Sequence, residues 1–271
     1  LSLEAHFRAA MSNGVGESAN PRNFIALTDP GTPLSERARA GEFGTWISTP
    51  EDVGGRFSAL SAFGMMPVAA TGINIRSFAE SAARMAQSTQ SDAPSNPGLL
   101  LAAFLAANAL AGRDKVTLVT GAEYSSLGMW VDQLLAESTG KNGKGLIPIT
   151  GELWLDADDY GDDRQFVVHY PDNGDKGLSD FVTKLQEAGF PVMMIQPEGR
   201  DKHDIAGEFF RWQFATAAAS SLMGIYPFDQ PDVEAAKVKS RELLTNLASD
   251  FETNDLTKSL ETLTESQPPR Y

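Results

Sequence analysis

The chain contains no cysteine among its 271 residues. Disulfides, cysteine-ligated zinc and thiol catalysis are thereby excluded, and the composition fits a reducing, cytoplasmic setting. Basic charge is scarce too: 22 Lys and Arg stand against 36 Asp and Glu, a formal net charge of −14. Nucleic acids and anionic membranes are held by clustered Lys and Arg, so neither is expected as a partner. A local basic pocket can still take an anionic small molecule. The three histidines, His6, His169 and His203, are scattered without metal-ligand spacing, and no metal is expected. His169 falls in a candidate strand and reads as structural, and His203 lies in the polar entry to a candidate helix. No apolar run reaches the roughly 18–20 residues of a membrane span. The longest, Pro97 to Gly112, is interrupted by Asn108 and reads as a buried helix. Gly14-Val-Gly16 lacks the third glycine of a dinucleotide fingerprint, and Ser138–Gly145 fails the phosphate-loop pattern. A Gly140 cap, with Lys141 and Lys144 complementing the end of the preceding helix, accounts for the second. No G-x-S-x-G element occurs. No cofactor is expected.

What is present is an ordinary globular composition, 42% hydrophobic and 21% charged, in a chain long enough for one α/β domain or two smaller ones. Strand-like and helix-like segments alternate, which predicts a mostly parallel sheet of about five strands with helices on both faces. Candidate strands are Phe24–Thr28, Thr45–Ser48, Lys115–Val119, Leu146–Ile149, Gln165–His169 and Pro191–Ile195. Candidate helices are Leu3–Met11, Leu34–Ala40, Phe57–Ala70, Ile75–Ala86, Pro97–Leu110, Leu127–Ser138, Leu178–Ala188, Ile205–Met223, Val233–Phe251 and Leu256–Thr264. Residues 1–252 are read as the domain, and 253–271 as a C-terminal helix and loose tail. Leu155–Arg164 holds five aspartates and reads as a solvated loop, with calcium binding the lesser alternative. Leu1 is not a natural start, so the chain reads as cut from a longer one.

Three segments could carry chemistry. In Glu51-Asp-Val-Gly-Gly-Arg-Phe-Ser-Ala-Leu-Ser-Ala-Phe-Gly64, Gly54 and Gly55 allow a sharp turn close to a ligand. Arg56 then stands at a predicted helix start, where an anion is favoured; a tight loop with a solvated arginine is the alternative. The helix at Leu127 has apolar residues at 127, 130, 131, 134 and 135, and places Gln133 and Glu137 on one side. Glu137 falls at the edge of the apolar stripe, where partial desolvation suits a general base. The alternative is a boundary glutamate paired with a nearby lysine. In Tyr226-Pro-Phe-Asp-Gln-Pro-Asp-Val-Glu-Ala-Ala-Lys237, Pro231 and Asp232 suit a helix start. Lys237 by itself is a surface lysine.

Together these segments resemble the phosphoglucose isomerase family, most closely the bacterial form fused behind a transaldolase. Glu51–Gly64 fits the family's first signature, and Trp130–Lys141 resembles the segment with its substrate-contacting glutamine and catalytic glutamate. Phe228–Lys237 resembles the second signature, departing at Asp232, where a small residue is usual. Gly207–Thr216 and Asn96–Leu101 also look like the fusion-type relatives, and the similarity spans roughly Phe24 to Leu244. The resemblance implies the sugar-isomerase (SIS) fold, binding phosphosugars at loop ends, and aldose–ketose isomerisation of glucose 6-phosphate and fructose 6-phosphate through a cis-enediol.

By position, Glu137 would move a proton between C2 and C1, and Arg56 would stabilise the enediol charge. Gln133 would hold substrate hydroxyls. Lys237, with Gln230 beside it, would act near the ring oxygen or O1. Gly54 and Gly55 would approach the substrate. No cofactor is implied, and a homodimer and a linked transaldolase domain are compatible with it. The family's phosphate-gripping Ser/Thr loop and ring-opening histidine are not found here, so the expectation is a fragment truncated at both ends and weakly active or inactive alone. The competing reading is a non-catalytic sugar-phosphate-binding module, which would have no need of the base. Transaldolase chemistry lacks a fitting strand lysine.

Overall fold

The computed structural model describes residues 2–15, 21–91, 94–121, 124–170, 176–197, 199, 201–229, 236–240 and 242–243. The chain divides into two compact units, Leu1–Phe228 and Asp229–Tyr271. In the second, residues 236–240 are helical and Lys237 is exposed. The boundary expected at 252, the tail, and most of the helices expected at Val233–Phe251 and Leu256–Thr264 lie outside the described residues.

In the first unit, α1 (Ser2–Val15) precedes β1 (Ile25–Thr28), α2 (Pro33–Arg39) and β2 (Thr45–Ser48). Three consecutive helices follow: α3 (Ala62–Ala70), α4 (Ile75–Ser88) and α5 (Pro97–Leu110). Then come β3 (Lys115–Thr120), α6 (Ser125–Thr139), β4 (Ile147–Thr150), β5 (Arg164–His169), α7 (Lys176–Glu187), β6 (Val192–Ile195) and α8 (Ile205–Leu222). Every strand pairing among the described residues is parallel. The six predicted strands all form, but in two sheets rather than one: β1 with β2, and the order β4-β3-β5-β6. The three helices inserted between β2 and β3 separate the sheets in the chain.

The four-stranded sheet is covered on both faces, which makes three layers. Strand alternation sends Val116, Leu118 and Val167 to one side, into a core with Leu105 of α5, Leu135 of α6 and Trp212 of α8. It sends Val119, Phe166 and Val168 to the other, against Leu178, Phe181 and Leu185 of α7. The β3-α6-β4 and β5-α7-β6 crossovers step in opposite directions along the sheet, so helices of one handedness land on opposite faces. α4 buries Phe78, Ser81, Ala82 and Met85, spaced i, i+3, i+4 and i+7 as a one-faced helix requires. α5, apolar almost all round, packs on α8 and is capped by Asn96, whose Oδ1 accepts from Gly98 N and Leu99 N.

One predicted helix is corrected. Phe57–Ala70 is a 3-10 turn at Gly55–Phe57, a bend, and only then α3. Two serines cause the break. Ser58 Oγ donates to Gly55 O at 2.6 Å, and Ser61 Oγ donates to Ser58 O while capping α3 at Phe63 N. Both compete with helical backbone bonding. Gly64 permits the fold-back, since a Cβ there would lie 1.9 Å from Ala59 O.

Candidate active site

Arg56 leaves the 3-10 turn and enters the protein, with its side chain only 1% exposed. It is neither a solvated arginine nor at the start of α3, which begins six residues later. Its Nη1 donates to Ser138 Oγ at 2.8 Å and to Pro227 O at 3.0 Å. Its Nε lies 3.5 Å from Glu137 Oε2. The other Glu137 oxygen, Oε1, accepts from Gln133 Nε2 at 3.3 Å. The Glu137 side chain is 31% exposed, so its carboxylate reaches solvent while resting against a buried guanidinium.

Three of the predicted site residues are therefore brought together: Arg56, Gln133 and Glu137. The lysine-pairing alternative for Glu137 gives way to an arginine. Gly54 and Gly55 adjoin Arg56, but neither takes a backbone conformation reserved for glycine, and a Cβ on either would meet no atom within 4 Å. The expected turn is there, as the 3-10 turn at Gly55–Phe57, but it does not draw on glycine's conformational freedom. What the bareness of the two glycines leaves is open space next to their own backbone. Lys237 is exposed in the second unit, and Gln230 falls outside the described residues.

The site's place in the fold follows from α6. That helix runs from the carboxyl end of β3 back toward the start of β4, and Glu137 is in its last turn. The trio thus stands at the end where the parallel strands begin, not at their carboxyl ends, where ligands of open α/β sheets usually bind. At the carboxyl end, His169 closes β5 in full burial. Its Nε2 accepts from Trp212 Nε1 at 3.2 Å, and Tyr124 stacks on its ring. Glu208, 1% exposed, lies 3.4 Å from that nitrogen and 3.1 Å from Arg211 Nη2. This buried cluster matches the structural reading of His169.

Sequence reasoning missed Ser138 and Lys141 as partners. Lys141, expected to offset the helix dipole, donates its Nζ to Tyr226 O at 2.5 Å. With Arg56 on Pro227 O, two cations grip two successive carbonyls. The signal for Ser138 was available: it extends the buried series Leu127, Val131, Leu134 along α6, a hydroxyl on an apolar stripe. Gly140 does cap α6, its N–H donating to Ala136 O at 2.9 Å. A cavity of about 1190 Å³ lined by Phe7, Met11, Phe24, Leu34 and Phe43 lies at α1, α2 and β1 and shares no residue with the trio. Among the described residues, one group has metal-holding proximity, Asp201, His203 and Asp204. Asp204 there already receives the Asp201 N–H at 3.0 Å and Arg84 Nη2 at 3.4 Å. No described helix is long and apolar enough to cross a membrane.

No protein-family model matches the chain. It is 30% identical over 273 residues to the glucose-6-phosphate isomerase of Symbiobacterium thermophilum, covering 86% of this chain and 60% of that protein. A hypothetical protein of Thermus thermophilus superposes with a TM-score of 0.76 at 21% identity, covering 89% of this chain and 67% of that one. A glucose-6-phosphate isomerase of Chlamydia trachomatis superposes at 0.71 with 18% identity, covering 96% and 59%. The two superpositions carry the fold; the sequence identity carries the kinship. The chain is a relative of the glucose-6-phosphate isomerases, with the three-layer α/β fold of sugar isomerases, and spans about three-fifths of the length of the curated relatives it matches.

Proposed function

We propose that this chain carries the proton-transfer centre of an aldose–ketose isomerase acting on glucose 6-phosphate and fructose 6-phosphate. Glu137 takes the proton from C2 of the aldose and returns it to C1, through a cis-enediol. The observation that carries this reading is the Glu137 carboxylate: part-exposed, with Arg56 Nε 3.5 Å from one oxygen and Gln133 on the other. A general base must reach substrate and yet be held in one orientation, and these two neighbours hold it. The buried positive charge of Arg56 stabilises the negative charge that passes to the enediol, in a setting where water screens it little. Gln133 holds substrate hydroxyls. Lys237 and Gln230 act near the ring oxygen or O1; their part, like a homodimer or a linked transaldolase, rests on the family resemblance alone.

The experiment is a coupled assay on the complete gene product that carries this chain. Wild-type protein is expected to interconvert the two sugar phosphates. Glu137→Gln, close to isosteric and unable to accept the proton, is expected to lose about 10²–10⁴-fold in turnover. Undiminished turnover in that variant would remove the proposed base, and absence of turnover in the wild-type protein would leave a sugar-phosphate-binding module as the better reading.

A further inference from the structure

We propose that Ser138 is a positioning residue for this reaction, acting through Arg56; the inference rests on the reading of Glu137 as the base. Adjacent residues on the last turn of α6 point to different surroundings. Glu137 reaches solvent, whereas Ser138 is fully buried and accepts the Arg56 Nη1–H at 2.8 Å. Arg56 comes from a loop 82 residues earlier, so the Ser138 hydroxyl is a point where that loop is pinned to the helix bearing the base. The second Nη1 acceptor, Pro227 O, lies just before Phe228, whose ring packs 5.1 Å from that of Phe57, the residue after Arg56. Pro227 O fixes the guanidinium relative to that segment; Ser138, next to Glu137 in the chain, fixes it relative to the base. At 3.5 Å the Nε–Oε2 approach is long for a charge-assisted hydrogen bond. On its own that approach leaves the pair room to shift, and Ser138 adds a constraint from behind.

A displacement of about 1 Å in such a group costs on the order of 10²-fold in rate. Ser138→Ala removes the hydroxyl, and Ser138→Cys keeps nearly the same shape with only a weak sulfur acceptor. In the complete gene product both are expected to lower kcat about 10- to 100-fold with KM for fructose 6-phosphate little changed. The Cys variant is expected to keep the wild-type thermal midpoint. A second readout does not depend on the reaction: in ¹⁵N-arginine-labelled protein, the Arg56 Nη1–H signal should be protected from water exchange in wild type and lose protection in both variants. Wild-type kcat in Ser138→Cys, or unchanged Arg56 protection, would overturn the proposal. If Arg56 loses protection as expected but a parallel Glu137→Gln turns over at full rate, the base assignment fails, and Ser138's part in the reaction falls with it.

Discussion

Arg56 and Glu137 differ in exposure, and the difference divides their tasks: the arginine is a fixed buried charge, the glutamate the group that meets solvent. Which arginine and which glutamate to watch was legible through the family resemblance; the two glycines and the edge-of-stripe position by themselves left a solvated arginine and a lysine-paired glutamate as alternatives. That Arg56 points inward was not legible, since its acceptors, Ser138 and Pro227, lie 82 and 171 residues away. The buried cluster at the other end of the sheet was half legible. His169 read as structural, but nothing in the sequence pairs it with Glu208. There, the Trp212 N–H donated to Nε2 assigns the ring proton to Nδ1, so neither Glu208 oxygen receives a hydrogen bond from the histidine. Arg211, 3.1 Å away and 9% exposed, is the charge that makes a buried glutamate tolerable. Removing one partner of such a pair leaves the other uncompensated. Glu208→Ala is expected to cost about 3–5 kcal/mol of stability by urea unfolding. A loss well under that range would mean the pair contributes little.

At the scale of elements, strands and helices were legible to within a few residues because their periodicities are clean, as in α4 and α7. The helix expected over Phe57–Ala70 was not, since apolar content concealed the Ser58 and Ser61 side-chain bonds that divide it. Ion pairs link elements too. Glu4 of α1 is held by Arg37 of α2, at 2.8 Å and 2.9 Å, and by Arg8 at 2.7 Å. Hydrogen bonds from Arg37 first, and then Arg8, lower its pKa from 4.5 to about 2. A depressed carboxylate pKa contributes stability that is present above the unfolded value and lost as pH falls through the folded one. Stability should therefore decline between about pH 4.5 and pH 2, less steeply in high salt, because both side chains are partly exposed. Arg37→Gln is expected to shrink that acid-induced decline, measured as urea midpoint against pH. An identical decline in the variant would show that this clamp does not link α1 to α2.

At the scale of the whole molecule, parallel α/β architecture followed from the alternation of elements, while the division into two sheets did not. Strand patterning reports burial, not which strand a given one will pair with, and β1 and β2 pair only with each other among the described strands. The site's position was hidden for a similar reason: the usual rule looks to the carboxyl ends of the strands, and Glu137 stands at the opposite end. Its catalytic assignment is the central claim, and the most direct test is solvent-proton exchange. Fructose 6-phosphate is incubated in D2O with the complete gene product, and deuterium at C1 of the ketose and C2 of the aldose is followed by NMR. Wild-type protein should introduce deuterium at both carbons, and Glu137→Gln should reduce the rate by about 10²-fold or more. Deuterium entering at an undiminished rate in the variant would contradict the account.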